Sequence, residues 1–183
     1  MARGMVGRAR LKISLIALAG VAAGAGAATV VDPVRALAGR YSWHFQNGDV
    51  TGATYGSDDV AEIVPVDATH AYVRFALNFY NGHSCSLAGV AARQGDALVY
   101  RGLPDDIFGD EKRPCRLTIR RVGAKLTWDD GGTCKGHCGA RGSFSHGDMA
   151  WSSKRPIGYM ARLKASQEYR HALIEWRTGK AAQ

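Results

Sequence analysis

Polar and apolar positions alternate along most of the chain with the two-residue period of half-buried strands. Gly39-Arg-Tyr41-Ser-Trp43-His-Phe45-Gln46 alternates aromatic with polar residues, and Asn47-Gly48, a strong hairpin signal, precedes a return strand over 50–55. A third strand is expected over 60–66, with Pro65 marking its end or an edge. The clearest alternation, over 70–79, sets Val73, Phe75, Leu77 and Phe79 on one face and Tyr72, Arg74, Ala76 and Asn78 on the other. Residues 84–92 and 97–101 pair across Arg93-Gln-Gly-Asp96, 103–113 reads as an exposed loop, and 115–120 and 124–129 pair about Gly123. A short last strand is expected over 142–146. Regular short strands with turn signals predict an all-β fold, a small antiparallel β-barrel or sandwich of about eight strands.

From Gly158 the period changes. Met160, Leu163, Tyr169, Leu173 and Trp176 recur at helical spacing among Arg162, Lys164, Arg170 and Arg177, which predicts a C-terminal helix. It either packs one stripe on the β domain or offers an amphipathic basic face to anionic lipid, peptidoglycan or a partner. The expected organisation is a signal peptide over 1–27, a β domain over 33–150 and a basic helical tail over 151–183.

The signal peptide rests on Arg3, Arg8, Arg10 and Lys12 running into the apolar stretch from Ile13, with Ala25-Gly26-Ala27 as a small-x-small cleavage pattern. The apolar run is short for a bilayer span, and an uncleaved anchor is the second reading. No Arg-Arg pair calls for twin-arginine export. A periplasmic protein is expected. The formal charge of +8 falls to +4 once residues 1–27, with four basic residues and no acid, are set aside. Residues 33–150 then balance 13 Lys/Arg against 13 Asp/Glu, and 151–183 carries 7 against 2, so the basic excess belongs to the tail. A nucleic-acid reader shows its basic face within the folded domain, and that partner class is set aside.

Cys85, Cys115, Cys134 and Cys138 form an even set, which in an exported chain reads as two disulfides. Three connectivities are open. Spacing favours Cys85 with Cys115 and Cys134 with Cys138. The competing reading of Cys134-Lys-Gly-His137-Cys138 is a metal or haem site. Haem attachment needs His directly after the second Cys, where Gly139 stands, and zinc needs two further ligands at a recognisable spacing. No cofactor or metal is expected, and His137 reads as a loop residue.

Nothing in the chain carries a G-x-S-x-G, a Walker loop or H-E-x-x-H. Its Asp pairs fall in turns, so an enzyme is not the expected class. In Cys138-Gly-Ala-Arg141-Gly142 the glycines either serve only the turn or hold Arg141, with Lys135, out to a partner carboxylate.

Three stretches, Asn78-Phe-Tyr-Asn-Gly-His83-Ser-Cys85-Ser-Leu, Cys115-Arg-Leu-Thr-Ile and Cys134-Lys-Gly-His-Cys138-Gly-Ala-Arg-Gly-Ser, resemble the lysozyme inhibitor LprI family and related periplasmic proteins of proteobacteria. The likeness runs over about 38–150, with an echo over 155–164. It implies a small disulfide-bonded barrel or sandwich that blocks a peptidoglycan-cleaving enzyme by inserting a loop into its catalytic cleft. On that analogy Lys135, His137, Arg141 and Ser143 contact the partner, a lysozyme-type hydrolase. Two other classes compete. A small-ligand carrier is suggested by Gly39-x-Tyr-x-Trp43, which echoes the first strand of lipocalin-like barrels. An envelope structural or stress protein would use the basic tail.

Overall fold

The computed structural model describes Met1 and residues 32–102 and 114–179; the expected signal peptide and the expected loop over 103–113 lie outside these residues. The strands are β1 (Gly39–Gly48), β2 (Thr54–Pro65), β3 (His70–Asn78), β4 (Ser84–Gln94), β5 (Ala97–Arg101), β6 (Arg116–Val122), β7 (Lys125–Asp129) and β8 (Gly147–Ala150). They form one antiparallel sheet of eight strands in sequence order. The sheet curls so that the segment just after β8 reaches the open edge of β1, where Arg40 and Arg155 exchange backbone hydrogen bonds of 2.8 Å each way as an isolated bridge. The result is a nearly closed barrel followed by helices, the fold class expected from the pattern.

Alternation fixes what lies inside. Ala71, Val73, Phe75 and Leu77 of β3 are buried together with Leu87 of β4, Ile119 of β6 and Trp128 of β7. Phe75 sits at the centre, 5.1 Å from the Trp128 ring and 5.9 Å from that of Phe144. Each such side chain contributes roughly 1.5–3 kcal/mol through burial. Side chains also plug both ends. A short helix, α1 (Pro33–Ala36), is capped by Asp32 and buries Val34, with Leu37 just after it, at one end. Phe144, from the loop before β8, fills the other and is fully buried.

A turn and a strand depart from expectation, and the strands expected over 50–55 and 60–66 merge into the single β2. Asn47-Gly48 does not turn the first hairpin but continues β1, because the Asn47 amide is buried and donates to the Phe79 carbonyl (3.0 Å) and Ser57 Oγ (3.3 Å). The turn moves to Asp49, whose carboxylate accepts from the N–H groups of Thr51 and Ala53 and from the Thr51 hydroxyl. Gly142 to His146 is not a strand. Its residues connect the disulfide region to β8, and Phe144 is drawn inward as the plug.

The C-terminal segment packs against the outside of β2, β3 and β4 as two helices, α2 (Met160–Ala165) and α3 (Gln167–Thr178). Ser166 adopts an extended conformation and breaks the single expected helix. Its hydroxyl donates to the Leu163 carbonyl and accepts from the Tyr169 N–H as the cap of α3. Leu163, Tyr169 and Ala172 bury Val64 and Tyr72, with Tyr72 and Tyr169 rings 4.7 Å apart. Beside this contact lies a buried charge. Glu62 of β2 stands in register between Arg40 of β1 and Arg74 of β3. It is fully buried, pairs with Arg74 Nη1 at 2.9 Å and Arg40 Nε at 3.8 Å, and accepts a hydrogen bond from the Tyr159 hydroxyl. Burial first, then this bond, pushes the Tyr159 phenol above its ordinary pKa. Arg74 also reaches Glu168 of α3 at 2.9 Å, so one ionic network ties the helices to the barrel.

Candidate functional site: the disulfide-stapled loop

Both disulfides lie at the end of the barrel that Phe144 plugs. They join Cys85 to Cys138 and Cys115 to Cys134, with Cα–Cα distances of 4.0 and 4.4 Å. The pairing favoured by spacing, Cys85 with Cys115 and Cys134 with Cys138, is therefore wrong. The barrel brings the start of β4 against the loop, where Cys85 and Cys138 pair as an isolated antiparallel bridge and the Gly139 N–H donates to Ser84 O at 2.7 Å. Spatial adjacency set by the sheet overrides adjacency along the chain. With both partners oxidised elsewhere, Cys134 and Cys138 hold no thiolate pair for a metal, and no group of three or more potential ligands converges among the described residues.

The loop between β7 and β8 is held from within. Asp130 is buried and its carboxylate accepts from the N–H groups of Cys134 (2.8 Å) and Gly132 (3.1 Å) and from the Ser145 hydroxyl (2.7 Å). Lys135, in a single 3-10 turn with His137, folds its ammonium back onto the carbonyls of Gly139 (3.0 Å), Ala140 (2.9 Å) and Gly142 (2.7 Å). Three carbonyl dipoles converging on one charge fix the curvature of 139–142. A Cβ at Gly142 would lie 2.7 Å from Cys85 Sγ, so the disulfide itself requires glycine there.

The four expected contact residues thus share one stapled loop but occupy different settings. Arg141 is exposed at the tip of the held turn, and no ion pair engages it among the described residues. Ser143 is exposed, and its hydroxyl accepts from the Ser145 N–H at 3.0 Å. Lys135 is exposed but its ammonium is folded back onto the turn, and His137 is half-buried. Beside the loop, on the outer face of β6 to β8, lies a groove of about 600 Å³ lined by Arg116, Arg120, Asp129, His146 and Asp148 among others. Sequence reasoning missed it, although Arg116-x-Thr118-x-Arg120 is the outward half of a strand alternation. Asp129 faces His146 Nδ1 at 3.6 Å and Asp148 is paired with Lys125 at 3.1 Å, and neither arginine has an ion pair among the described residues.

The two disulfides indicate an oxidising, extracellular-type environment. No described helix is long and apolar enough to cross a membrane. No family model, curated protein or solved structure matches the chain, so its reading rests on the barrel and the loop it staples.

Proposed function

We propose that the chain is an exported, periplasmic binding protein that inhibits a lysozyme-type peptidoglycan hydrolase by seating the 134–145 loop in its catalytic cleft. The observation that carries this reading is Arg141, a guanidinium with no ion pair among the described residues, on a turn fixed by two disulfides and three lysine hydrogen bonds. A loop ordered before binding loses little further conformational freedom on docking. Glycosidase clefts carry two carboxylates, and a planar guanidinium matches them as a bidentate donor. The resemblance of the cysteine-bearing stretches to lysozyme inhibitors supports the same partner. Side chains fill the barrel interior, which favours the loop end over an internal ligand site as the binding element. Peptidoglycan turnover by a panel of lysozymes and lytic transglycosylases, with and without the oxidised protein, tests it. Competitive loss of turnover for at least one enzyme is expected, and unchanged turnover across the panel overturns the proposal.

A further inference from the structure

At the barrel end opposite the staples, cations gather on one aromatic ring. Arg121, near the end of β6, holds its guanidinium carbon 4.3 Å from the centroid of Trp151, and Lys154 Nζ lies 4.8 Å from the same ring. Arg155 follows directly in the chain and is exposed, as is Arg121. Among the described residues each of the three donates only to neutral carbonyls: Arg121 Nε to Gly123 (2.9 Å), Lys154 Nζ to Ala36 (2.5 Å), and Arg155 Nη1 to Ser152 (2.7 Å) and Lys154 (2.8 Å). Several cations elsewhere are paired, Arg40 and Arg74 with Glu62, Arg93 with Asp32 and Lys125 with Asp148, but none of those pairs with an acid lies at this ring. Among the described residues these three meet no carboxylate within 4 Å. Burial, and then the charge of Arg121, hold the Lys154 ammonium below its ordinary pKa, as expected of a cation without an acid beside it. Like charges assembled without a counter-charge cost the free protein stability that an anionic partner returns.

We propose that Arg121, Lys154 and Arg155 around Trp151 form a docking site for an anionic phospholipid surface. Several guanidinium and ammonium donors remain for lipid phosphates, and a half-buried indole at the same level suits the headgroup region, where Trp is enriched. The site lies on β6 and the segment just after β8, not on the basic faces of α2 and α3. Docked this way, the barrel turns the Cys134 to Ser145 loop away from the bilayer. The inference does not depend on the hydrolase reading.

Sedimentation of the purified oxidised protein with vesicles of phosphatidylglycerol in phosphatidylcholine, against phosphatidylcholine alone, tests the site. Binding only to the anionic vesicles, weakening as salt rises, is expected. Each surface cation strengthens such partitioning roughly fivefold, so Arg121→Gln with Arg155→Gln should weaken it about 30-fold. Arg170→Gln with Arg177→Gln, on α3, should leave it unchanged. Arg155→Glu alone alters one exposed side chain and should weaken binding at least as much as the neutral change at that position. Near-ultraviolet circular dichroism confirms that each variant is folded. Equal binding to neutral vesicles, no loss in either cluster variant, or a loss confined to the α3 pair overturns the proposal. Release from the vesicles by millimolar inorganic phosphate also overturns it, because the ligand would then be a soluble phosphate.

Discussion

Replacing Cys85 and Cys138 together by alanine should cost the folded state about 4 kcal/mol, more than replacing Cys115 and Cys134. The outer bridge joins residues 53 apart, and the inner bridge, joining residues 19 apart, is nested within it. With the inner bridge closed, the outer one still constrains a path of roughly 35 residues, for which loop closure contributes about 4 kcal/mol; the inner bridge alone contributes about 3 kcal/mol. Both magnitudes act on the unfolded chain, so the variants should unfold with a larger dependence on denaturant as that chain expands. Urea unfolding of the two double variants, each with its remaining bridge intact, measures both quantities. A loss below about 1 kcal/mol for the outer pair, or a larger loss for the inner pair, would refute the closure argument. Recovery of a Cys85–Cys115 peptide from a non-reducing digest would refute the connectivity itself.

Glu62→Ala strands Arg40, leaves Arg74 only its pair with Glu168 and removes the acceptor of Tyr159, so a loss of about 3 kcal/mol, with earlier proteolysis within α3, is expected by thermal unfolding and limited digestion. Gly147→Ala would place a Cβ 2.1 Å from Trp128 Nε1, and a loss of about 1–3 kcal/mol with altered tryptophan fluorescence should follow. Lys135→Gln removes three charge-assisted bonds, and faster amide exchange at 139–142 with only about 1 kcal/mol of lost stability is the expected signature. Asp67 is held at about 2 by the Thr69 N–H, the His70 side chain and the Thr69 hydroxyl. A carboxylate depressed in the folded state stabilises it above the unfolded pKa and loses that contribution as pH falls toward the folded one. The stability gap between wild type and Asp67→Asn should therefore narrow between pH 4 and about pH 2, and a gap constant with pH contradicts it.

Strand patterning was legible because alternation records burial directly: of the residues placed on one face, Val73, Phe75 and Leu77 lie inside the barrel, while Phe79, just past the end of β3, is only partly buried against it. Where local signals failed, a distant partner intervened. The Asn47-Gly48 turn signal lost to the bonds Asn47 makes with Phe79 and Ser57. Tyr41 is buried, yet Trp43, two residues along the same face, is 56% exposed and stacks on Phe45, because among the described residues no strand pairs with β1 beyond Arg40 on its open side. The disulfides could not be read from spacing, since only barrel closure brings Cys85 to Cys138. The stripe of α2 and α3 was visible in Leu163 and Tyr169, but Glu62, a lone acid in the apolar run Ala61-Glu-Ile63-Val64, passed unremarked although it organises the contact beneath them. At the loop, Lys135, His137, Arg141 and Ser143 share one stapled segment, as their nearness in sequence requires. The inward turn of Lys135 was not foreseeable, because its three acceptors exist only once the 139–142 turn has formed.

The account stands most directly on the partner of Arg141. A double-mutant cycle between Arg141→Ala and an amide replacement of each cleft carboxylate in an inhibited hydrolase measures whether the guanidinium meets them. A coupling of about 2 kcal/mol or more with one carboxylate is expected for a close, desolvated pair. Strictly additive losses with both carboxylates would contradict loop insertion as the mode of binding.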